Sequence, residues 1–346
     1  MYCFNACEYF RIMNLRIRNR HTFACCALTS VLLVSIITWT SYQHNVSSLL
    51  PLVKRSRPTP FNRQTRRATS TTVQLLNPIR FANETDFNCV IAKFEQLGFP
   101  VCTYKAEYDT FISKAFLQGD YFERGYVIRT VNFMKSHHDV TFLDLGANLG
   151  SYALPVAHVG RHVVAVEATW NTVRRLSKSV HLGKISANID LVPYAIAGKR
   201  YVTFMEINPV QPGVNKMSDV SCEKDCVSVS VITLNDILPL MRNKKAMMKI
   251  DVEGAEINVF TPSSAGDFFR EIDVLIIQME WGFYVNEYSH TLEKRRLVDE
   301  FLNFFHEKHY VMYDADTELM LDSHWTKWPG NICLRKGNKS SRLFDI

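Results

Sequence analysis

Four acidic side chains stand at the ends of four separate apolar segments, where a carboxylate can act on a bound ligand. Asp144 ends "TFLDL", Glu167 ends "HVVAVE", Asp251 ends "AMMKID" and Glu280 ends "DVLIIQME". A buried apolar strand does not need to end on an acid, whereas the carboxyl ends of the strands in a doubly wound sheet face one crevice where ligands bind. The four acids therefore predict a single acidic site.

The loop "GANLG" at 146–150 follows Asp144 and opens a helical pattern. Its glycines allow close approach of a ligand, with free amides at the helix N-terminus. A dinucleotide fold would carry two more glycines where Asn148 and Ser151 stand here. Asp144 would repel a pyrophosphate and suits an ammonium group, while Glu167, seventeen residues past the loop, suits two ribose hydroxyls. This pattern predicts a nucleoside that carries an amino acid, such as S-adenosylmethionine.

Three segments together resemble the FkbM-type methyltransferases, a family of S-adenosylmethionine-dependent enzymes with the class I methyltransferase fold. They are "FLDLGANLGSYAL", "VVAVEA" and "MKIDVEGAEINVF", and the resemblance covers roughly residues 120–336. It implies an α/β fold with a doubly wound, mostly parallel, Rossmann-like sheet of seven strands in the order 3-2-1-4-5-7-6, the last strand being antiparallel.

The same resemblance implies S-adenosyl-L-methionine as the cofactor and assigns residues to it. The expected cofactor-binding residues are Asp144, Gly146, Ala147, Asn148 and Gly150 at the methionine end, Glu167 and Ala168 at the ribose, and Tyr194 and Ala195 at the adenine. Ala168 departs from the family, which usually has proline after the acid. The stretch "WGFY" after Glu280 departs too, since a more polar stretch is common there, and this affects acceptor recognition.

Catalytic residues are predicted at the ends of the fourth and fifth strands. Methyl transfer from a sulfonium is an in-line displacement, and a positioned carboxylate can take the proton of an acceptor hydroxyl. Asp251 is the first candidate for orienting or deprotonating the acceptor, and Glu253 and Glu280 are expected beside it. Glu256 could be only a helix first-turn carboxylate. Lys249 is interpreted as an internal pairing partner for one of the acids.

Two features near these acids have alternative interpretations. Asp251 and Glu280 would supply too few ligands for a divalent metal, so no metal site is predicted. Trp281, Phe283 and Tyr284 could stack on a sugar ring or simply pack in the core, and the sequence leaves both possibilities open.

Apolar strands alternate with helical patterns over residues 139–336, which predicts a parallel sheet covered on both faces. The predicted strands are 141–145, 162–167, 190–195, 246–251, 273–280, 310–314 and 331–335, and the predicted helices are 151–159, 170–182, 235–242, 254–261 and 295–308. Alternating residues at 200–206 and 227–232 predict a hairpin or added strands. Residues 84–138 are expected to be mainly helical and to cover the sheet edge.

The first 83 residues are expected to form a membrane anchor and a stalk. After a short basic tail at 1–22, the uncharged run "FACCALTSVLLVSIITW" would span about 26 Å as a helix, which predicts a transmembrane signal anchor at 23–40. A cleaved signal peptide and a buried core helix are less favoured. Residues 41–83 have the composition of a flexible stalk, and 84–346 would be the methyltransferase domain, with a helical cover at 84–138 and the core sheet at 139–336.

The distribution of charge bears on partners and location. The formal charge is +6, but residues 1–70 hold ten basic side chains and one acid, so the remaining 276 residues carry a net −3. Nucleic acid is therefore not an expected partner. Arginines close to the anchor favour a cytosolic N-terminus, which predicts a single-pass, type II membrane protein of the Golgi or endoplasmic reticulum with a lumenal catalytic domain.

Five of the nine cysteines belong to the expected globular part. In an oxidising lumen, Cys89 with Cys102 and Cys222 with Cys226 are plausible local pairs, which would leave Cys333 unpaired. Five reduced cysteines are an equally good alternative.

These features together predict a membrane-anchored O-methyltransferase that acts on a hydroxyl of a glycan or of another small hydroxylated acceptor. The alternative is a catalytically inactive protein of the same fold that binds the nucleoside without turnover. The sequence leaves the acceptor and the oligomeric state open.

Overall fold

The structure is a computed structural model, and it describes residues 73–208, 215–218, 226–337 and 343–344, all within one compact unit. In these ranges no helix is both long and apolar enough to cross a bilayer. The expected tail at 1–22, the expected anchor at 23–40 and the stalk as far as residue 72 lie outside the described residues.

Strands and helices alternate along most of the described chain. The strands are β1 Asn88–Phe94, β2 Leu97–Thr103, β3 Val140–Leu145, β4 Val163–Val166, β5 Ile189–Val192, β6 Ala195–Ile196, β7 Tyr201–Glu206, β8 Lys216–Ser218, β9 Cys226–Ile232, β10 Lys245–Ile250, β11 Asp273–Glu280, β12 Tyr310–Asp314 and β13 Asn331–Lys336. The α-helices are α1 Ile112–Leu117, α2 Arg124–Ser136, α3 Ala153–His158, α4 Trp170–Leu182, α5 Glu256–Val259, α6 Pro262–Glu271, α7 Gly282–Tyr288 and α8 Leu292–His306, and 3₁₀ turns occupy Pro78–Phe81, Leu234–Leu240 and Trp325–Lys327.

Seven strands form the central sheet in the order β12-β13-β11-β10-β3-β4-β5. The β5, β4, β3, β10 and β11 strands are parallel, whereas β13 is antiparallel to both of its neighbours. Counted along the chain, this is the order 3-2-1-4-5-7-6 read from the opposite edge, so the expected topology is confirmed. All six β3 residues and all four β4 residues are buried, as continuous apolar strands under two helical layers should be.

Two packed apolar layers hold the sheet. One layer is built from alternate residues of the central strands with α6, α8 and the 3₁₀ turn at 234–240, and the other contains β1, β2, α2, α3 and α4. The segments at 200–206 and 227–232 do become strands: β7 and β9 pair antiparallel in a separate four-stranded sheet, ordered β6-β9-β7-β8.

The segment at 84–138 is not mainly helical, and the prediction for it was wrong. Its first part is the antiparallel hairpin β1–β2, and only α1 and α2 are helical. Ala92 and Phe94 on β1, and Phe99 and Val101 on β2, are buried, with more exposed residues between them. This two-residue period buries one face of the hairpin against the core.

The compact domain also begins earlier than the expected stalk boundary at residue 83. Leu76 pairs with Leu191 at the edge of β5, its amide donating to the Leu191 carbonyl at 2.9 Å. Phe81 is buried in the 3₁₀ turn that follows. The last residues of the expected stalk therefore pack onto the sheet.

One disulfide links the two strands of the β1–β2 hairpin. Cys89 and Cys102 are directly opposite each other in the β1–β2 register and form a disulfide. Cys226 is also disulfide-bonded, and its expected partner Cys222 lies outside the described residues. Cys333 is a buried free thiol on β13.

Candidate functional site

A cleft opens at the carboxyl ends of β3, β4 and β10, and it is called the first cleft below. Its lining includes most of the residues expected at the cofactor and two expected catalytic acids, namely Gly146, Asn148, Glu167, Ala168, Tyr194, Ala195, Asp251 and Glu253. The strand order brings these together, because β3 is flanked by β4 and β10 with all three strands parallel. Val166, Thr169, Ile196, Met205, Asn215, Met217 and Val252 complete the lining.

Glu167 ties the glycine loop to the end of β4. One carboxylate oxygen, Oε2, accepts a hydrogen bond from the Asn148 amide at 3.0 Å, and Oε1 accepts one from the Thr169 amide at 2.7 Å. Burial raises the pKa of Glu167, although these amides and Lys249 oppose that shift. A carboxylate oxygen has two lone pairs, so each can still accept a ribose hydroxyl. The position fits a nucleoside whose ribose lies in the first cleft.

At both glycines of the loop, neighbouring atoms leave no room for a side chain. Gly146 has φ +85°, and a Cβ there would lie 1.8 Å from the Asp251 carbonyl oxygen. Gly150 has φ +90°, and a Cβ there would lie 2.7 Å from side-chain atoms of Leu154 and Leu176. Gly150 does not line the first cleft, and it packs closely against two helices.

Two other residues expected at the cofactor also sit behind the lining. Ala147 is buried, and its amide donates to the Val166 carbonyl at 2.9 Å. Asp144 is 1% exposed, and its Oδ2 accepts from the Ala153 amide at 3.0 Å. Its Oδ1 is buried and has no hydrogen-bond partner among the described residues. Asp144 thus accepts a hydrogen bond from the first residue of α3 through one oxygen, and its other oxygen has no partner among the described residues.

Lys249 is the cation that balances the buried acids. It is opposite Asp144 in the β10–β3 register, and its Nζ lies 3.1 Å from Asp251 Oδ2 and 3.3 Å from the Gly146 carbonyl. Burial lowers the pKa of Lys249, but the surrounding carboxylates of Asp251, Asp144 and Glu123 outweigh burial and keep it above its ordinary value. Burial raises the pKa of Asp144 to about 6 even though Lys249 opposes this. Lys249 is therefore the internal partner that the sequence suggested.

The turn after β10 places Glu253 on a left-handed backbone, followed by a glycine. Glu253 has φ +57° and Gly254 has φ +91°. Glu256 holds this turn: its Oε1 accepts from the Val252 and Gly254 amides at 2.8 and 3.3 Å, and the Tyr284 hydroxyl donates to its Oε2. The helix predicted at 254–261 is observed only as the short α5. Glu256 is thus a buried structural residue.

Glu253 carries a strongly perturbed carboxyl group. Burial, together with the negative charges of Asp251 and Glu280, raises its pKa to about 8. Burial and Asp251 also raise the pKa of Glu280, which ends β11 and is more exposed. Asp251 itself has one buried oxygen, Oδ1, with no hydrogen-bond partner in the described part of the chain.

A second cleft adjoins the first on the β11 side. Asn148, Asp251 and Glu253 line both clefts. The other residues of the second cleft are Asp109, Phe111, Ile112, Phe122, Glu123, Lys249, Ile250, Gln278, Met279, Glu280 and Asn331. The expected catalytic acids Asp251, Glu253 and Glu280 are therefore together at this boundary.

The second cleft also contains residues that the sequence did not single out. Glu123 and the aromatic pair Phe111 and Phe122 come from the segment expected to be a helical cover, about 130 residues before Asp251. Gln278 is an interior residue of β11, with no local pattern to mark it. Only the tertiary structure shows that these residues line the cleft.

The aromatic residues after β11 pack in the core, which resolves one open alternative. Trp281 and Tyr284 are 0% exposed. The Trp281 indole donates to the Trp325 carbonyl at 3.0 Å and its ring lies 5.1 Å from that of Trp328. Phe283 is partly buried against Gly254 and Tyr288. Trp281 and Tyr284 therefore cannot stack on a sugar.

In the residues that the structure describes, no group of three or more His, Cys, Asp or Glu side chains is arranged to hold a metal ion.

The fold and the first cleft define a class I methyltransferase-like domain, an α/β sheet with a cleft at the carboxyl ends of its strands, where ligands bind in such folds. Residues 144–312 match the family model described as the methyltransferase FkbM domain. The chain thus carries an FkbM methyltransferase domain, and the protein is an S-adenosylmethionine-dependent methyltransferase.

Solved structures with similar folds include a precorrin-6y C5,15-methyltransferase from Geobacter metallireducens, at 11% identity, a TM-score of 0.33, and coverage of 62% of this chain and 89% of that one. A putative O-methyltransferase from Klebsiella pneumoniae gives 12% identity, a TM-score of 0.38, and coverage of 63% and 82%. An O-methyltransferase from Bacillus cereus in complex with SAH gives 9% identity, a TM-score of 0.36, and coverage of 62% and 81%. No curated protein matches the chain.

Proposed function

We propose that this protein is an O-methyltransferase that methylates a hydroxyl of a glycan or similar hydroxylated molecule. The methyl donor would occupy the first cleft and the acceptor the second. The observation that supports this most directly is the shared boundary of the two clefts at Asn148, Asp251 and Glu253. A donor and an acceptor seated in adjoining clefts would meet at this boundary, as an in-line transfer requires.

The residues of the first cleft fit the donor. Glu167 would hold the ribose hydroxyls, with Asn148 fixed beside it, and Tyr194 and Ala195 would border the base. The buried Oδ1 of Asp144 has no hydrogen-bond partner among the described residues, and it would interact with the ammonium group through water, since Asp144 lies behind the lining of the first cleft. The bound donor supplies an electrophilic methyl group on a sulfonium.

The boundary acids would handle the acceptor hydroxyl. Lys249 fixes Oδ2 of Asp251 at 3.1 Å, which leaves Oδ1 to orient the hydroxyl. Glu253 would take the proton, since its raised pKa of about 8 makes it a stronger base than an ordinary carboxylate. The polar groups of Glu280, Gln278 and Asn331 in the second cleft suit an acceptor with several hydroxyls.

The proposed location is the lumen of the Golgi or endoplasmic reticulum, behind a single N-terminal anchor in type II orientation. The Cys89–Cys102 disulfide and the disulfide-bonded Cys226 favour an oxidising compartment. Protease protection of the catalytic domain in intact microsomes would support this location, and digestion without detergent would contradict it.

The test of the activity combines donor binding with label transfer. S-adenosylhomocysteine should raise the melting temperature of the native protein, and Glu167→Ala should abolish most of that shift. Labelled S-adenosylmethionine should then label methyl glycosides, and Asp251→Asn should reduce the transfer at least 100-fold with the donor-induced shift retained. Label only on protein or lipid would exclude a glycan acceptor, and donor binding with no transfer to any acceptor would favour a catalytically inactive protein.

A further inference from the structure

One wall of the second cleft comes from outside the residues that match the family model. The segment at 109–123 contributes it, whereas the match begins at residue 144. Asp109 is 5% exposed and organises the wall: its Oδ1 accepts from the Phe111 and Ile112 amides at 3.2 and 3.1 Å, and its Oδ2 accepts from the Ser113 amide at 2.8 Å. The loop that presents Phe111 is therefore held by a buried carboxylate.

Glu123 is held by a second buried network. It precedes α2 with a left-handed backbone, φ +52°, and its side chain makes no capping bond to that helix. Instead, its Oε2 accepts a hydrogen bond from the Tyr152 hydroxyl at 2.8 Å, and that hydroxyl accepts one from the Gln278 amide at 2.9 Å. Tyr152 and Gln278 are 3% and 4% exposed. A left-handed backbone on a non-glycine residue is kept only where surrounding contacts hold it, and here they direct the carboxylate into the second cleft.

The wall combines an exposed aromatic ring with this fixed carboxylate. Phe111 is 54% exposed although it lines the cleft, and its ring is edge-on to Phe122 at 6.5 Å between centroids. An aromatic face offers apolar contact to the C–H face of a sugar ring. A carboxylate accepts two hydroxyl hydrogen bonds at once. The pair thus presents the two kinds of contact that one sugar ring can use.

The charge of the second cleft limits the kinds of acceptor that could bind there. Five carboxylates line it, those of Asp109, Glu123, Asp251, Glu253 and Glu280, and Lys249 is its one cationic side chain among the described residues. Lys249 already contacts Asp251. A carboxylated or sulfated acceptor would therefore meet uncompensated negative charge.

We propose that Phe111 and Glu123 form an acceptor subsite for an uncharged pyranose ring, with Phe111 stacking on the ring and Glu123 accepting hydrogen bonds from its hydroxyls. This subsite rests on the proposed O-methyl transfer and adds the acceptor class: neutral glycosides are accepted and uronic acids are excluded. Glu123 acts as a positioning residue, because the reacting hydroxyl lies at Asp251 and Glu253.

The test uses the full-length protein with labelled donor and pairs of probes, the methyl pyranosides of glucose, galactose and mannose and the corresponding methyl uronides. The native enzyme should label at least one neutral glycoside and discriminate at least tenfold in kcat/KM against its uronide. Glu123→Gln and Phe111→Ala should each raise the KM for the neutral glycoside about 10- to 100-fold, with a smaller change in kcat. Glu123→Asp should restore part of the lost affinity, and Glu123→Lys should reduce the discrimination against the uronide.

Matched controls come from the same loop. Glu107→Gln and Tyr108→Ala change an exposed acid and an exposed aromatic that lie outside the cleft, and they should leave KM unchanged. Unchanged KM in Glu123→Gln and Phe111→Ala, or equal use of neutral and uronide probes, would overturn the subsite while methyl transfer stood. A native enzyme that binds S-adenosylhomocysteine but labels none of the sugars would overturn both the glycan acceptor and the subsite.

Discussion

The Lys249→Met substitution tests whether the charge of one buried lysine stabilises the folded protein by compensating the neighbouring carboxylates. Lys249 has an 11% exposed side chain and contacts Asp251, while its charge also stabilises the ionised form of Asp144. Methionine keeps the length and apolar stem but removes the charge. Breaking a buried ion pair by removing one partner costs about 3–5 kcal/mol, because the remaining charge is left uncompensated. At about 2–4 °C per kcal/mol for a domain of this size, the melting temperature at pH 8 should fall by roughly 6–20 °C.

The pH dependence of that loss follows from Asp144. Its pKa in the folded protein is about 6, above the ordinary 3.8, so its contribution to stability is present at low pH and is lost as the pH rises through 6. Removing Lys249 raises this pKa further. At pH 5 the carboxyl is then mostly neutral and needs no counter-ion. The destabilisation by Lys249→Met should therefore be clearly larger at pH 8 than at pH 5.

The matched control lies on the same strand. Lys245 also forms an ion pair with a carboxylate, and its Nζ lies 2.8 Å from Asp139 Oδ2, but both side chains are largely exposed. Lys245→Met should leave the melting temperature nearly unchanged at both pH values, since water already screens that pair. Calorimetry or urea unfolding of the three proteins at pH 5 and pH 8 provides the comparison. Equal, pH-independent effects of the two substitutions would refute the electrostatic role given to Lys249.

Three further predictions concern the glycine loop, the boundary acid and the location. Gly146→Ala should cost well over 3 kcal/mol or prevent folding, because its Cβ would collide with the Asp251 carbonyl, whereas Gly160→Ala, at φ +77° with open space around it, should cost only about 1–2 kcal/mol by urea unfolding. Glu253→Gln should gain stability relative to the native protein as the pH rises from about 4.5 to about 8, since the folded state holds that proton more tightly than the unfolded chain, and label transfer should fall. Asn83 is exposed on a turn within the sequon "NET", so a lumenal domain should lose a glycosidase-sensitive mass in Asn83→Gln; an unshifted mass in the native protein would count against lumenal exposure.

Much of the fold could be read from the sequence because its signals are local. The segments at 273–280 and 310–314 and the helix at 170–182 have the bounds that the structure shows. Continuous apolar strands that alternate with helices leave few arrangements other than a parallel sheet with both faces covered. The hairpin β1–β2 was missed because its burial alternates only once the hairpin lies against the core.

Part of the candidate site could also be predicted from the sequence, and part could not. The strand-end acids and the glycine loop were identifiable because a parallel sheet sends the ends of its strands to one edge, so their position along the chain predicts their position in space. Local sequence could not show that Gly150 packs against helices, that Asp144 is bound by Ala153, or that Trp281 is buried. These outcomes depend on which backbone or side chain arrives from a distant part of the chain.

The sequence by itself thus determined the sheet, the cleft at its strand ends and the acids that border it, since each depends on short-range pattern and on the fixed geometry of parallel strands. The tertiary structure alone decided which acids are compensated and which face a ligand. Charge balance and hydrogen-bond satisfaction in a buried site are set by contacts between remote segments. The hydrogen-bonded set of Glu123, Tyr152 and Gln278 unites residues 29 and 126 positions apart in the chain, and no local pattern encodes such a contact.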